Sequence, residues 1–245
     1  MEKIAIIIPS RLNAERLPNK PLKLINNKEM ILHVYNIAKL SNVGEVIVAT
    51  PDQEILDLIK LHNGQAVLTS DKHQTGTDRV FEVFKNTLES RPEVIINFQG
   101  DMPNLSPDSI KELVLHMKKK LCDIATLASH IENEQEKKDL NIVKVLTSQE
   151  IANKTFSEAL DFFRTSNKPL NKMIYHHVGI YAFTNKALIR YVSLKRTKLE
   201  VERKLEQMRA LENQMKIDVG YIDTCPLSVD TETDLNAVRK IMEKK

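Results

Sequence analysis

The sequence predicts an α/β fold built on a doubly wound, mostly parallel sheet with antiparallel additions. Two observations support this class. Short β-branched apolar runs alternate with amphipathic helical patterns in the first half of the chain, and charged or small polar residues follow two of these runs directly. The alternation calls for right-handed crossovers and for a ligand crevice beyond the carboxyl ends of the strands.

The apolar runs are the predicted strands. Ile4–Ile8 is too short for a typical helix and suits a strand that is buried on both faces of a parallel sheet. The strand-like runs of the first half are Ile4–Ile8, Glu45–Ala49, Gln65–Leu68, Val94–Asn97 and Ile124–Leu127. Helical patterns separate the early ones at Met30–Lys39 and Gln53–His62, and Val143–Leu146 and Val178–Phe183 are predicted as antiparallel additions.

The second half is less regular. Glu132–Asp139 is charged and predicts an exposed helix or loop at the periphery. Lys198–Gln214 predicts one long amphipathic helix with an apolar inward face. The residues of that face are Leu199, Leu205, Met208 and Leu211. Val219–Asp223 predicts a late strand, and Asp230–Met242 predicts a helix with Glu232 in its acidic first turn.

Length and charge limit the possible classes of protein. At 245 residues the chain suits one large domain, residues 1–245, better than two. The 36 Lys and Arg residues and 33 Asp and Glu residues are interleaved, which argues against a nucleic-acid partner. No apolar stretch has the length of a signal segment or membrane span, so we expect a cytoplasmic protein with no membrane partner. Cys122 and Cys225 are expected to be reduced thiols without a metal or redox role.

A basic loop follows the first strand. Pro9 ends the strand, and Arg11, Arg16 and Lys20 precede the next helical pattern. Cations at the carboxyl end of a parallel strand would face a polyphosphate, whereas the alternative is an ordinary solvated basic loop. The chain has no GxxxxGK[ST] pattern, which excludes a P-loop NTPase.

The segment VIINFQGDMP is a second candidate site. It places Gln99, Gly100 and Asp101 at the carboxyl end of a predicted strand. Phosphate chemistry needs a divalent cation, and Mg²⁺ prefers one or two carboxylates, so Asp101 is a metal candidate. The alternative is a turn residue that caps the following helix.

These segments resemble a known enzyme family. PSRLNAERLPNKPL contains a Pro-x-Arg, an Arg-Leu-Pro and a Lys-Pro in the order that opens the sugar-activating nucleotidyltransferases, and it is most similar to 3-deoxy-manno-octulosonate (KDO) cytidylyltransferases. TGTDR, QGDMP, HHVGIY, LEQMR and VDTETDL resemble later motifs of that family, so the resemblance runs from Ile6 to Leu235. It implies a Rossmann-like nucleotidyltransferase fold that joins CTP and the acidic eight-carbon sugar KDO into CMP-KDO and pyrophosphate. It further implies a cytoplasmic homodimer that serves lipopolysaccharide inner-core biosynthesis.

The resemblance also implies a role for each matching residue. Catalysis would fall to Arg16, Lys20 and Asp101, and Mg²⁺ would be held by Asp101 and Asp230. The residues implied for CTP are Arg11, Arg16, Lys20, Thr75 and Arg79. The residues implied for KDO are Gln99, Arg164, His177, Tyr181, Glu206 and Gln207. His177 and Tyr181 lie four apart on one predicted strand and should share a face. From the residues alone, without the resemblance, Asp230 is predicted to be a helix N-cap.

The chain departs from the family pattern at three places, and alternatives remain. Met102 stands where the family has Glu, Phe163 stands where a Ser precedes Arg164, and Leu227 and Ser228 replace glycines before Asp230. Another acidic sugar, such as 8-amino-KDO or a sialic acid, is a rival substrate, although sialic-acid enzymes carry a different first loop. A catalytically silent nucleotide-binding homologue is a rival from another class, and retention of both aspartates argues against it.

Overall fold

The computed structural model has the predicted α/β architecture. The structure describes residues 3–14, 16–88, 91–152, 154–165 and 173–243. The strands are β1 (Ile4–Pro9), β2 (Leu24–Ile25), β3 (Lys28–Glu29), β4 (Glu45–Thr50), β5 (Gln65–Leu68), β6 (Val94–Phe98), β7 (Ile124–Ser129), β8 (Lys144–Thr147), β9 (Phe156–Phe163), β10 (Ile174–Thr184) and β11 (Ile217–Tyr221). The helices are α1 (Met30–Ser41), α2 (Gln53–Leu61), α3 (Gly76–Asn86), α4 (Pro107–Met117), α5 (Glu134–Lys138), α6 (Asn185–Ser193), α7 (Lys198–Arg203), α8 (Gln207–Glu212) and α9 (Glu232–Met242), with a 3₁₀ turn at Lys20–Leu22.

The chain forms two compact units. The first unit consists of Met1–Lys111 and Pro226–Lys245. Its strands follow the order β5-β4-β1-β6, and all three pairings are parallel. β1 lies inside this sheet and is buried along its whole length. The parallel, doubly wound sheet predicted for the first half is therefore confirmed, and the strands that precede the candidate loops share one direction.

The second unit, Glu112–Cys225, contains the antiparallel additions. β7 pairs with β11 in parallel and with β10 in antiparallel orientation. β9 is antiparallel to both β11 and β8, and β8 also pairs with β10. The single domain expected from chain length stays a prediction.

Sequence patterning missed strand β9, and it also did not predict β2, β3 or α6. The buried positions of β9 include the small residues Ser157 and Ala159, whereas the large apolar Leu160 is 54% exposed. Buried Ser157 and exposed Leu160 therefore break the alternation of apolar and polar residues in this strand, and the sequence pattern did not reveal it. The other predicted strands and helices α1 and α2 are confirmed with small shifts of their ends.

The single helix predicted over Lys198–Gln214 is wrong. α7 ends at Arg203, and Lys204 adopts a left-handed backbone with φ 54° before α8 begins at Gln207. The N–H of Leu205 closes the turn by donating to the Glu200 carbonyl at 3.2 Å. Leu205 is buried across the break, so core packing takes precedence over continuous helical hydrogen bonding.

The C-terminal helix begins two residues later than predicted. Thr231 is its N-cap and accepts a hydrogen bond from the N–H of Asp234 at 3.3 Å, while the Asp234 carboxylate accepts from the Thr231 N–H at 2.8 Å. The N-cap interpretation of Asp230 is therefore wrong. This leaves the Asp230 carboxylate available for contacts outside the helix.

The charged segment predicted at the periphery forms α5, which has no buried residue. Among the described residues, no helix combines the length and the apolar character that crossing a bilayer requires.

The break at Lys204 makes a testable prediction. An L-residue in the left-handed region is strained relative to glycine, so Lys204→Gly should raise the free energy of unfolding by about 0.5–1 kcal/mol. The control is Glu202→Gly inside α7, which should lower it by a similar amount. Urea unfolding of both variants measures the difference. A loss of stability in Lys204→Gly would mean that the helix is continuous.

Candidate active site

The ammonium group of Lys20 is the point where the basic loop meets two carboxylates. Its Nζ lies 3.2 Å from Asp101 Oδ2 and 3.3 Å from Asp230 Oδ1, and it donates to the Val229 carbonyl at 2.8 Å. Burial opposes the charged form of Lys20, but the two carboxylates outweigh it and raise the pKa of this lysine. Lys20 is therefore charged at neutral pH.

Hydrogen bonds between two distant segments bring the aspartates together. The N–H of Val229 donates to the Asp101 carbonyl at 2.9 Å, and the N–H of Leu227 donates to Asn104 Oδ1 at 3.0 Å. Both contacts tie the segment before α9 to the loop after β6. The carboxylates of Asp101 and Asp230 consequently converge on one point, as the magnesium hypothesis requires.

A cluster of buried apolar side chains holds the basic loop against the same segment. Its members come from the loop, the β2–β3 hairpin, α1, the segment before α9 and α9 itself. They are Leu17, Ile25, Met30, Val229, Leu235 and Val238. Leu17 lies between Arg16 and Lys20 in the sequence, and Val229 directly precedes Asp230. Burial of these two neighbours therefore fixes the backbone from which the charged side chains project.

Arg16 completes this charged group at the surface. Its Nη2 lies 2.9 Å from Asp230 Oδ2, and its side chain is 55% exposed. An ion pair this exposed contributes roughly 0–1 kcal/mol, so a phosphate group can replace the carboxylate at little cost. The structure thus brings together four of the predicted residues: Arg16, Lys20, Asp101 and Asp230.

Asp52 anchors the start of the basic loop, and sequence reasoning missed it. Its carboxylate accepts from the N–H of Leu12 at 2.8 Å, while the N–H of Ser10 donates to the Ala49 carbonyl at 2.9 Å. The available signal was its place directly after β4, at the same sheet edge as the loop. Asp52 positions the backbone beside Arg11.

Ser10 is a second residue that sequence reasoning missed. It is 7% exposed, and its hydroxyl has no hydrogen-bond partner within the part of the chain that the structure describes. A Cβ on Gly100 would lie 3.7 Å from this hydroxyl and 3.2 Å from the Pro9 carbonyl. A buried hydroxyl without a partner costs about 1–3 kcal/mol, which indicates a group that a ligand is meant to satisfy.

Thr75 and Gln99 lie around the end of β1. Thr75 caps α3 by accepting from the N–H of Asp78 at 3.1 Å. A Cβ on Gly76 would lie 3.3 Å from the Gln99 amide and 3.4 Å from Pro9, so the start of α3 abuts the residues that follow β6 and β1. Gln99 donates to Asn97 Oδ1 at 2.9 Å, which fixes its amide. Their substrate roles stay predictions.

Arg79 is almost fully buried and holds a loop. Its guanidinium donates to the Thr69 hydroxyl and, at 2.9 Å, to the Ser70 carbonyl. Burial first, and then the positive charge of the nearby Arg11, lowers the pKa of Arg79. Arg11 is exposed, so it is more accessible than Arg79, which is also predicted to bind CTP.

In the second unit, His177 is buried and neutral. Burial lowers its pKa to about 3, with the charge of His176 a smaller cause. Its Nε2 lies 3.0 Å from the Thr126 hydroxyl, whose shortest contact is the Ile180 carbonyl at 2.7 Å. Since the hydroxyl has one proton and gives it to that carbonyl, Nε2 carries the hydrogen and Nδ1 is left as an acceptor.

The prediction that His177 and Tyr181 share a face is confirmed. Their ring centroids are 5.5 Å apart. β10 bulges between Val178 and Tyr181. On β7, His177 pairs with Ala128 and Tyr181 pairs with Thr126, and these two partners are only two positions apart. The bulge therefore shortens the spacing by two residues and preserves the face. Burial, and then the charge of Glu206, raises the pKa of Tyr181, so its hydroxyl stays protonated.

Glu206 and Gln207 lie at the start of α8, and Arg164 follows β9. Gln207 is 7% exposed and Glu206 is half-buried near the hydroxyl of Tyr181. The guanidinium of Arg164 donates to the carbonyls of Leu140 and Asn141, both at 2.9 Å. Within the part of the chain that the structure describes, the contacts connect His177, Tyr181 and Glu206 but do not connect Arg164 to them.

The oxygen atoms around Lys20 fit a magnesium ion. Asp101 and Asp230 supply carboxylates that converge on one position, and hard oxygen ligands are those that Mg²⁺ prefers. Met102, where the family has Glu, is 3% exposed and offers no further carboxylate. The residues present therefore provide two carboxylates for the ion.

A second group, His116, Cys122 and Asp218, has ligand atoms within 4.8 Å of one another. His116 Nε2 lies 2.8 Å from Asp218 Oδ2, and its ring stacks on Phe156 at 3.8 Å. Burial, and then Asp218, raises the pKa of the Cys122 thiol to about 12. The thiol is protonated, and His116 and Asp218 bond to each other. Packing and hydrogen bonding therefore explain why these three side chains lie together, without a metal ion.

Comparisons with known proteins decide the family. The family model for cytidylyltransferases matches residues 5–217. The chain is 41% identical over 238 residues to the 3-deoxy-manno-octulosonate cytidylyltransferase of Bartonella tribocorum, with 97% of each chain covered. It belongs to the KDO cytidylyltransferase family. The enzyme of that name from Bartonella bacilliformis is 42% identical over 241 residues, with 98% of each chain covered.

Solved structures agree with this family assignment. A structure of CMP:2-keto-3-deoxy-manno-octonic acid synthetase complexed with CTP covers 99% of each chain, with a TM-score of 0.89 and 33% identity. A 4-diphosphocytidyl-2C-methyl-D-erythritol synthase from Anaerococcus prevotii, at 13% identity and a TM-score of 0.67, shares the fold. The predicted nucleotidyltransferase fold and enzyme class are confirmed.

The unpaired hydroxyl of Ser10 leads to a testable prediction: its removal should not lower stability without ligand, but it should weaken CTP binding. Without ligand, Ser10→Ala should leave the melting temperature unchanged or raise it, because a buried unpaired group is removed. With CTP, the variant should gain less thermal stabilisation than wild type and bind CTP about fivefold to tenfold more weakly. Calorimetric titration measures the affinity. Unchanged CTP affinity would show that no ligand uses this hydroxyl.

Proposed function

We propose that the chain transfers CMP from CTP to KDO and releases pyrophosphate. The observation that carries the proposal is the convergence of Lys20, Asp101 and Asp230, set within a chain that matches KDO cytidylyltransferases along nearly its whole length. The first unit supplies the nucleotide residues. The second unit supplies most of the sugar residues.

The basic loop binds the triphosphate. Arg16 is exposed and only loosely held by Asp230, while Lys20 is charged and fixed by packing around Leu17. Arg11, which is exposed, adds a third cation near Arg79. Fixed positive charges of this kind stabilise the negative charge that develops on a departing pyrophosphate.

Asp101 and Asp230 would hold Mg²⁺. When bound, the ion would favour ionisation of a hydroxyl group and neutralise phosphate charge. The backbone contacts that align the two aspartates therefore serve metal binding. Asp234 assists, because its carboxylate accepts from the N–H of Asp230 at 3.0 Å and orients that residue.

The sugar is recognised by neutral and charged groups of the second unit. His177 offers an acceptor at Nδ1, and Tyr181 offers a protonated hydroxyl. Glu206 and Gln207 bind sugar hydroxyls, with Gln99 of the first unit assigned to the same substrate. The guanidinium of Arg164 binds the sugar carboxylate.

The reaction is an in-line displacement without a covalent enzyme intermediate. The anomeric hydroxyl of the sugar loses its proton to solvent water, and its oxygen forms a bond to the α-phosphorus of CTP. The bond from that phosphorus to the bridging oxygen of the β-phosphate breaks, and pyrophosphate leaves. Lys20 and Arg16 stabilise the charge on the leaving group.

Three further proposals follow from the family. The product CMP-KDO serves lipopolysaccharide inner-core biosynthesis, the enzyme works in the cytoplasm where CTP is made, and it forms a homodimer. The name of the related enzymes supports the first of these through its sugar.

A pyrophosphate-release assay tests the function. CTP, UTP, ATP and GTP are each combined with KDO, 8-amino-KDO and N-acetylneuraminate. We expect turnover with CTP and KDO to exceed every other pair by at least about tenfold in kcat/KM. A clear preference for 8-amino-KDO would change the sugar and leave the nucleotide assignment intact. No turnover with any pair would favour a catalytically silent homologue.

Substitution of the aspartates tests the metal site. Asp101→Asn and Asp230→Asn should each lower kcat by about 100-fold to 1000-fold while the protein stays folded, because each removes one of two carboxylate ligands. Asp57→Asn, at an exposed aspartate on α2, is the matched control and should keep the wild-type rate. Near wild-type turnover of either site variant at saturating Mg²⁺ would contradict the two-carboxylate site.

A further inference from the structure

Tyr191 on α6 makes a specific contact with the segment that carries two proposed sugar residues. Its hydroxyl donates to the Glu206 carbonyl at 2.9 Å, and the side chain is 2% exposed. This carbonyl belongs to the peptide that joins Glu206 to Gln207. The tyrosine therefore holds the bond from which both side chains depart.

A buried ion pair fixes Tyr191 in turn. The guanidinium carbon of Arg209 lies 4.6 Å from the centre of the Tyr191 ring, a cation–π contact. Arg209 Nε and Nη2 donate to the two carboxylate oxygens of Glu200 at 2.8 and 2.6 Å, and Glu200 is fully buried. Such a bidentate pair has one geometry, so the guanidinium plane is fixed above the tyrosine ring.

The backbone between α7 and α8 needs such a support. Lys204 interrupts the helix with a left-handed conformation, and Leu205 and Glu206 precede the first residue of α8. Regular i to i+4 hydrogen bonding does not extend through this turn. The hydroxyl of Tyr191 contributes a side-chain hydrogen bond at this point.

We infer that Tyr191 is a positioning residue for the sugar substrate. It aims Glu206 and Gln207 by fixing the peptide between them, and the Glu200–Arg209 pair holds Tyr191 in place. The inference rests on the proposed function, because it assumes that Glu206 and Gln207 bind the sugar. It assigns Tyr191 no contact with CTP or with the reacting atoms.

Tyr191→Phe tests this role because it removes the hydroxyl and keeps the ring. We expect KM for KDO to rise about tenfold, while KM for CTP and kcat stay within about twofold of wild type. Tyr175→Phe is the matched control. Tyr175 is also fully buried in the second unit, and its hydroxyl accepts from the N–H of Ile151 at 2.8 Å. Removal of the Tyr175 hydroxyl should lower the melting temperature about as much as Tyr191→Phe does, but it should leave KM for KDO unchanged.

A third variant separates geometry from charge. Arg209→Lys keeps a positive charge beside Glu200 but loses the bidentate fork, so KM for KDO should rise in the same direction as in Tyr191→Phe. An unchanged KM for KDO in Tyr191→Phe, or an equal rise in Tyr175→Phe, would overturn the inference.

Turnover by the wild-type protein shows separately whether the proposed function fails. If wild-type protein prefers another acidic sugar, the KM comparison is made with that sugar and the same outcomes apply. If wild-type protein turns over no sugar, the proposed function and the positioning role both fail.

Discussion

The first unit depends on one interaction, the binding of the Lys20 ammonium between the carboxylates of Asp101 and Asp230. Two carboxylates brought this close repel each other unless a cation lies between them, and a buried cation is unstable without such partners. Electrostatic attraction therefore holds three segments together: the basic loop, the loop after β6 and the segment before α9. Apolar packing of Leu17 and Val229 beside the charges makes the arrangement rigid. A divalent ion that bound the same oxygens would take over the role of the ammonium and free Lys20 for a phosphate.

The two units divide the chemistry by the kind of group they present. The first presents exposed and half-buried charges, suited to a highly charged triphosphate. The second presents buried neutral groups such as His177 and Tyr181, whose protonation does not change near neutral pH. A sugar rich in hydroxyl groups is recognised by hydrogen-bond direction more than by net charge. Under the proposed function, the low pKa of His177 serves recognition, because a charged imidazole would lose its acceptor.

Sequence reasoning reached the parts of the structure in which local pattern and tertiary role agree. The β-branched runs of β1, β4 and β6 are buried on both faces, so apolar continuity sufficed to find them. It failed at β9, where Ser157 is buried and Leu160 is exposed. It also failed at Lys204, because the local sequence Arg-Lys-Leu contains no residue that favours a left-handed backbone. Asp101 was found from its place at the carboxyl end of a predicted strand, whereas Asp230 came from a family motif. Sequence reasoning missed Asp52 and Tyr191 because their roles depend on contacts with residues distant in the sequence. It missed Ser10 because the notable feature of this residue is a buried hydroxyl without a hydrogen-bond partner among the described residues.

The discontinuity of the first unit has a consequence for biosynthesis. Its sheet is complete by β6, yet Val229, Asp230 and the apolar side of α9 come from Pro226–Lys245, beyond the whole second unit. At roughly 5–20 residues per second, a ribosome needs on the order of ten seconds to translate the intervening segment. During that time Leu17 and Lys20 lack their partners, while the contiguous second unit already has all of its own strands. Nascent chains should therefore complete the second unit first and the first unit last.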